Sequence, residues 1–200
     1  MSILRTIVRP GRNCPILRSL NGIWFVLPLL LLELSFVSPV QTVTSAEYQV
    51  KAVFLFNFTQ FVEWPANAFP GEQAPLVIGV LGEDPFGSFL DETVEGEKVK
   101  GHPLVIRRFD NTEKAKSCHI LFINGAKAEK LKQVFADLKG LSILTVGDAT
   151  DFARQGGMVR FFTENNKIRI RINLEATKAS DLTISSKLLR LAEIVESKHN

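Results

Sequence analysis

Only two cysteines, one tyrosine and three histidines occur among the 200 residues, and these shortages exclude several kinds of chemistry. With Cys14 near the start and Cys118 as the other thiol, there is neither a disulfide framework nor a thiol cluster to hold a metal. His102, His119 and His199 show no paired metal-ligand spacing, and no Gly-x-Ser-x-Gly nucleophile elbow is present. Cys118-His119 places a nucleophile beside a base, but neighbours at the start of a strand point to opposite faces and cannot form a dyad. The expectation is a chain that is not an enzyme and uses no cofactor or metal. Long apolar runs are scarce as well. Residues 23–32 form one, broken by Pro28 and followed by Glu33, and a spanning helix needs about 20 apolar residues.

That run lies behind Arg5, Arg9, Arg12 and Arg18 and ahead of Thr44-Ser45-Ala46, the charged, apolar, small-residue order of a secretory signal. The expected organisation is a signal peptide over 1–46, cleaved near Ala46, and a single domain over 47–200 located in the periplasm. The alternative is a leader retained as a membrane anchor. Cys14 precedes the apolar core, so it is not a lipid-attachment site. Cleavage removes four of the 24 basic and one of the 21 acidic residues, leaving 20 of each. A domain of balanced charge lacks the basic footprint of a nucleic-acid binder, and no such partner is expected.

Within 47–200, Val50, Val53, Phe54, Phe58, Phe61 and Val62 recur at helical spacing until Pro65, because the residue before proline avoids the helical region. Leu55 and Phe56 make this helix, 47–64, apolar nearly all round, so it is expected to be covered on both faces. Residues 65–75 read as a loose loop. Apolar runs at 76–81 and 120–123 predict fully buried strands, joined by strands at 102–108 and 143–146. Helices are predicted at 86–91 and 127–139, the second stopped by Gly140. Alternating strands and helices imply a parallel core. Residues 158–163 and 167–174 flank Asn165-Asn166, a pair that tolerates the positive φ of a tight hairpin. A last helix is predicted from Ser185 or Ser186, presenting Leu188, Leu189, Ala192 and Val195. The fold class is three-layer α/β, with a mixed, mostly parallel sheet flanked by helices and a C-terminal antiparallel hairpin.

With Asn165 and Asn166 in the turn, Arg160 faces Arg171, Phe162 faces Arg169, Phe161 faces Ile170 and Thr163 faces Ile168. Like charges directly opposite are unfavourable by up to about 1 kcal/mol, so Arg160, Arg169 and Arg171 need an anionic neighbour. That neighbour is either an acid of this chain, such as Glu175 or Asp148, or a ligand or partner, since arginine forks bind carboxylate and phosphate well. Gly82 and Gly87 around Asp84-Pro85 could bring backbone N–H groups to an anion. Their spacing matches neither the dinucleotide nor the P-loop pattern, and a plain strand-end turn is the simpler reading. The aromatic stripe Phe54, Phe56, Phe58, Phe61 and Trp64 exceeds what one helix face buries, so part of it is a candidate partner surface.

Tyr48-x-x-Lys51-Ala52-x-Phe54-Leu55-x-Asn57-Phe58-x-x-Phe61-Val62-x-Trp64-Pro65, the segment 81–87, Cys118-His119-Ile120-Leu121-Phe122, Gly156-Gly157-Met158-Val159 and Ile184-Ser185-Ser186-Lys187-Leu188-Leu189 together resemble the YfiR family of periplasmic regulators in order and spacing. The resemblance implies a small α/β protein, often a homodimer, that represses an inner-membrane diguanylate cyclase by binding its periplasmic sensor region. An outer-membrane lipoprotein relieves that repression, and the output is cyclic-di-GMP level and biofilm formation. Other members are implied to serve sensor kinases. The runner-up is a periplasmic sensor of an anionic metabolite or nucleotide, using Gly82 to Gly87 and the arginines. A redox-responsive member of the family is implied to use internal disulfides. Here the strand at 76–81 has no cysteine to meet Cys118, and no internal redox switch is expected.

Overall fold

The computed structural model describes residues 40–125 and 128–196. The apolar core of the expected leader and Cys14 lie outside these residues. Helix α1 spans Val40–Phe61, so the expected cleavage position near Ala46 falls inside it. The helix stops three residues earlier than its apolar pattern suggests. Strand β1 (Val62–Glu63) takes over, pairing antiparallel with β9 (Thr183–Ile184), and Ser185 N–H donates to the Phe61 carbonyl at 2.9 Å. This contact ties the first helix to the end of the domain.

Eight strands form the main sheet in the order β10-β8-β7-β6-β5-β2-β4-β3. Strands β2 (Leu76–Leu81), β4 (His102–Phe109), β5 (Ile120–Ile123), β6 (Leu144–Gly147) and β7 (Val159–Glu164) pair parallel with their neighbours. Strand β8 (Lys167–Asn173) returns antiparallel to β7, and the two-residue β3 (Lys98–Val99) closes the far edge against β4. The chain is α/β with a mixed, mostly parallel sheet, as its pattern predicts.

Two cores flank the sheet, which is why β2 and β5 are apolar at every position. On one side Ile78, Val80, Ile120, Phe122, Val146 and Phe161 meet Ala52, Leu55 and Phe58 of α1 and Leu90 of α2 (Ser88–Val94). On the other, Val77, Leu81, Leu121 and Ile123 meet Leu131 and Val134 of α4 (Ala128–Asp137) and Leu138 just after it. A one-turn α3 (Thr112–Ala115), with Asn111 as its N-cap, leads into β5.

The hairpin has the register its turn residues dictate. Asn165 and Asn166 take φ of 48° and 58°, the left-handed values of a tight two-residue turn, and Arg160 lies opposite Arg171, Phe162 opposite Arg169 and Thr163 opposite Ile168. Short helices α5 (Leu174–Lys178) and α6 (Ser186–Leu189) follow, the latter capped by Ser185. The expected C-terminal helix is corrected here. Ala192–Val195 is not helical but forms β10, pairing parallel with β8 at the sheet edge. The unpaired edge of β8 supplies a hydrogen-bond ladder, and this outweighs helical spacing over so few residues.

Candidate functional site

Lys51 lies on the inward face of α1 between Tyr48 and Leu55, and only 2 % of it is exposed. A buried ammonium needs partners, and it has two. Nζ is 2.7 Å from Glu47 Oε1 one turn away and 2.7 Å from Asp148 Oδ2, which follows the end of β6. Tyr48 donates its hydroxyl to the same Asp148 oxygen at 3.0 Å, and the ammonium sits 4.2 Å from the Tyr48 ring centre. Burial, then the negative charge of Asp148, push the Tyr48 hydroxyl well above its ordinary range.

Strand β7 continues past Gly147, where β6 ends, and brings Arg160 alongside Asp148. Arg160 and Arg171 share a cleft of about 410 Å³ with Glu47, Tyr48, Lys51 and Asp148. It opens at the carboxyl end of β6, the side on which open α/β sheets bind ligands. The two arginines are handled differently. Arg171 donates from Nε to Glu193 of β10 at 2.7 Å and covers the Phe162 ring at 4.1 Å. Arg160 takes part in no ion pair among the described residues, and its Nε is buried with no hydrogen-bond partner. Burial first, then the charge of Arg171, lower its pKa. Arg169 stands outside the cleft, exposed, 3.9 Å from Glu164. The structure therefore splits the arginine cluster, and the acid that meets Arg171 is Glu193 rather than the anticipated Glu175 or Asp148.

The loop from Gly82 to Gly87 is organised around a different group. Arg108 of β4 donates to Asp84 at 2.7 Å, to the Gly87 carbonyl at 2.9 Å and to Asp91, while Phe86 N–H donates to Asp84 at 2.8 Å. Gly82 and Gly87 hold φ of 96° and 57°, which explains glycine at both positions. Neither lines the cleft. The loop is a strand-end turn clamped by an arginine, and Phe86 passes beneath it to pack edge-on against Tyr48 and Phe122.

The aromatic stripe divides by depth. Phe58 is fully buried and stacks on Phe161, so it is corrected from partner surface to core. Phe54, Phe56, Phe61 and Trp64 are half-buried against the same core, and Trp64 Nε1 donates to the His119 carbonyl at 3.2 Å. The expectation of a helix covered on both faces is corrected in part: Phe58 and Val62 of the expected stripe are buried, but its first residues are not. Leu55 and Ala52 are buried, whereas Val50 and Val53 are 46 % and 44 % exposed. On the sheet edge Leu191 and Ile194 are 67 % and 49 % exposed. Phe54 shares a shallow groove of about 370 Å³ with Ile168, Ile170 and Leu191, bordered by Arg169 and Arg190, so a partly apolar groove joins α1 to the sheet edge.

Residues 48–193 match the model of the YfiR/HmsC-like family, a family of periplasmic regulators. The chain belongs to the YfiR/HmsC-like family. The matched span contains Tyr48, Lys51, Asp148, Arg160, Arg171 and Glu193, thus nearly the whole cleft. No protein of curated function matches the chain.

In this YfiR/HmsC-like chain Cys118 and His119 are buried and turned away from each other. The thiol donates to the Ala115 carbonyl at 2.9 Å, and burial pushes its pKa up to about 12. His119 Nδ1 accepts from Val77 N–H at 3.1 Å, and its Nε2 lies 3.2 Å from the Ala68 carbonyl. The first bond makes Nδ1 the unprotonated nitrogen and Nε2 the donor. Phe69 stacks between His119 and His102 at 4.4 and 3.9 Å, so the loop expected at 65–75 is pinned to the sheet by a sandwich of three rings. No group of three metal-ligating side chains occurs among the described residues, and no described helix is long and apolar enough to cross a membrane.

Proposed function

We propose that this YfiR/HmsC-like chain is a non-enzymatic regulator that is exported, loses its leader near Ala46, and acts in the periplasm. There it binds the periplasmic region of an inner-membrane signalling enzyme of the diguanylate cyclase type and holds it inactive, lowering cyclic-di-GMP and biofilm formation. The observation that carries the contact surface, an apolar strip, is the exposure of Val50 and Val53 on α1 and of Leu191 and Ile194 at the sheet edge. Large aliphatic groups left facing solvent mark a protein contact, and half-buried Phe54, in the groove with Leu191, supplies an aromatic anchor. An outer-membrane lipoprotein that competes for the same strip would relieve the repression.

The test is capture of the enzyme from solubilised inner membrane by wild-type chain and by a Val53→Glu, Leu191→Glu double variant. Wild type is expected to retain a diguanylate cyclase that the variant releases, and cells carrying the variant to accumulate cyclic-di-GMP. Equal capture by a folded variant removes the strip from the interface. Unchanged cyclic-di-GMP on deleting the wild-type chain ends the regulatory reading.

A further inference from the structure

The fold places half-buried Arg160 beside an open cleft, with its Nε buried and given no hydrogen-bond partner. Arg160 is fixed opposite Arg171 by the hairpin register, and the acids around it have other partners. Glu193 accepts from Arg171, Asp148 accepts from Lys51 and Tyr48, and Asp151 pairs with Arg154. A surface arginine in that position would turn into water, but the Nε of Arg160 is shut away from solvent with no acceptor. An unmet charge-assisted donor of this kind is costly, and an anion entering the cleft would remove that cost.

We propose that the cleft binds a small metabolite with a single oxyanion head, a carboxylate or a phosphate monoester, seated on the Arg160 fork. At about 410 Å³ the space falls within the range of small-molecule sites. The other charged groups that line the cleft select the rest of the ligand. Glu47 and Asp148 together outweigh the single charge of Lys51, so a second anionic group is repelled and a hydroxyl or amino donor is favoured there. The ring of Phe162, lying under Arg171, supplies an apolar floor. This site is separate from the apolar strip and does not depend on the partner proposed above.

Calorimetric titration of the full chain with inorganic phosphate, glycerol 3-phosphate and glycerate tests it, the last two separating phosphate from carboxylate heads. At least one hydroxylated probe is expected to bind. Arg160→Gln should weaken it by about tenfold or more, Arg160→Lys by less because charge survives without the fork, and Arg169→Gln not at all. Phenylglyoxal labelling of wild-type protein gives an answer that needs no variant, since bound probe should shield Arg160 and leave Arg169 reactive. Three results overturn the proposal: no binding of any probe at up to about 10 mM, equal Arg160 labelling with and without a probe that binds, or affinity that climbs with ligand charge through pyrophosphate to ATP. The last would describe a diffuse basic surface.

Discussion

The ammonium of Lys51 and the carboxylate of Asp148 meet at 2.7 Å although 97 positions separate them in the chain. The contact joins the first helix to the carboxyl end of β6. Removing one partner strands the other, and a buried pair broken in this way is costly. Because Asp148 retains some access to water, Asp148→Leu or Lys51→Met alone is expected to lower stability by about 2 kcal/mol. The double variant should lose less than the sum of the two. Urea unfolding midpoints of the four proteins measure the coupling, and strict additivity would deny the pair any mutual stabilisation.

Acid should destabilise the domain through His119. Burial lowers its pKa below the ordinary 6.5, so the unfolded chain takes up the proton more readily than the folded one. Stability from this group is then complete above about pH 6.5 and falls as the pH drops below it. His102 across Phe69 adds repulsion of the same sign. His119→Asn keeps an acceptor for Val77 N–H but cannot titrate, and its stability should vary less between pH 5 and 7. Equal pH slopes for the two proteins, from denaturant titrations, would assign the acid sensitivity elsewhere.

Phe152 is fully buried between two glycines. A Cβ at Gly147 would strike only its ring, whereas one at Gly157 would strike the ring and also come within 2.8 Å of the Phe152 carbonyl oxygen. Overpacking of this kind costs about 1–3 kcal/mol. Both alanine variants should melt at lower temperature. Adding Phe152→Leu should offset part of the loss for Gly147→Ala and little of it for Gly157→Ala, whose clash includes backbone.

Cys118 should be inert while the domain is folded. Its thiol is buried, donates to Ala115 and is far from ionising at neutral pH. In a Cys14→Ser chain a maleimide probe is expected to label nothing until denaturant opens the structure, and then one site. Rapid labelling of native protein at pH 7.5 would contradict the burial.

The sequence makes the sheet readable because strands covered on both faces leave apolar runs, as in 76–81, and because Asn165-Asn166 admits one hairpin register. That register also brings Arg160 and Arg171 together. The orientation of α1 is less legible. Val50, Val53, Leu55 and Phe58 are all apolar, so periodicity does not say which of them faces the sheet, and tertiary packing chooses Leu55 and Phe58. Ala192–Val195 is too short to carry a period, and its strand depends on the open edge of β8. Lys51 gives one local signal, a charge on the same helical face as Leu55 and Phe58, but its partner Asp148 becomes apparent only when the chain is folded.

Pairing of β1 with β9 leaves the amino-terminal helix without its full set of neighbours until Thr183 and Ile184 are in place. Such long-range closure slows folding. Synthesis from the amino terminus delivers those residues well after the helix they close, so the helix waits for its neighbours. For the export proposed above, that delay would keep an early, stable tertiary knot from blocking passage through a narrow translocation channel.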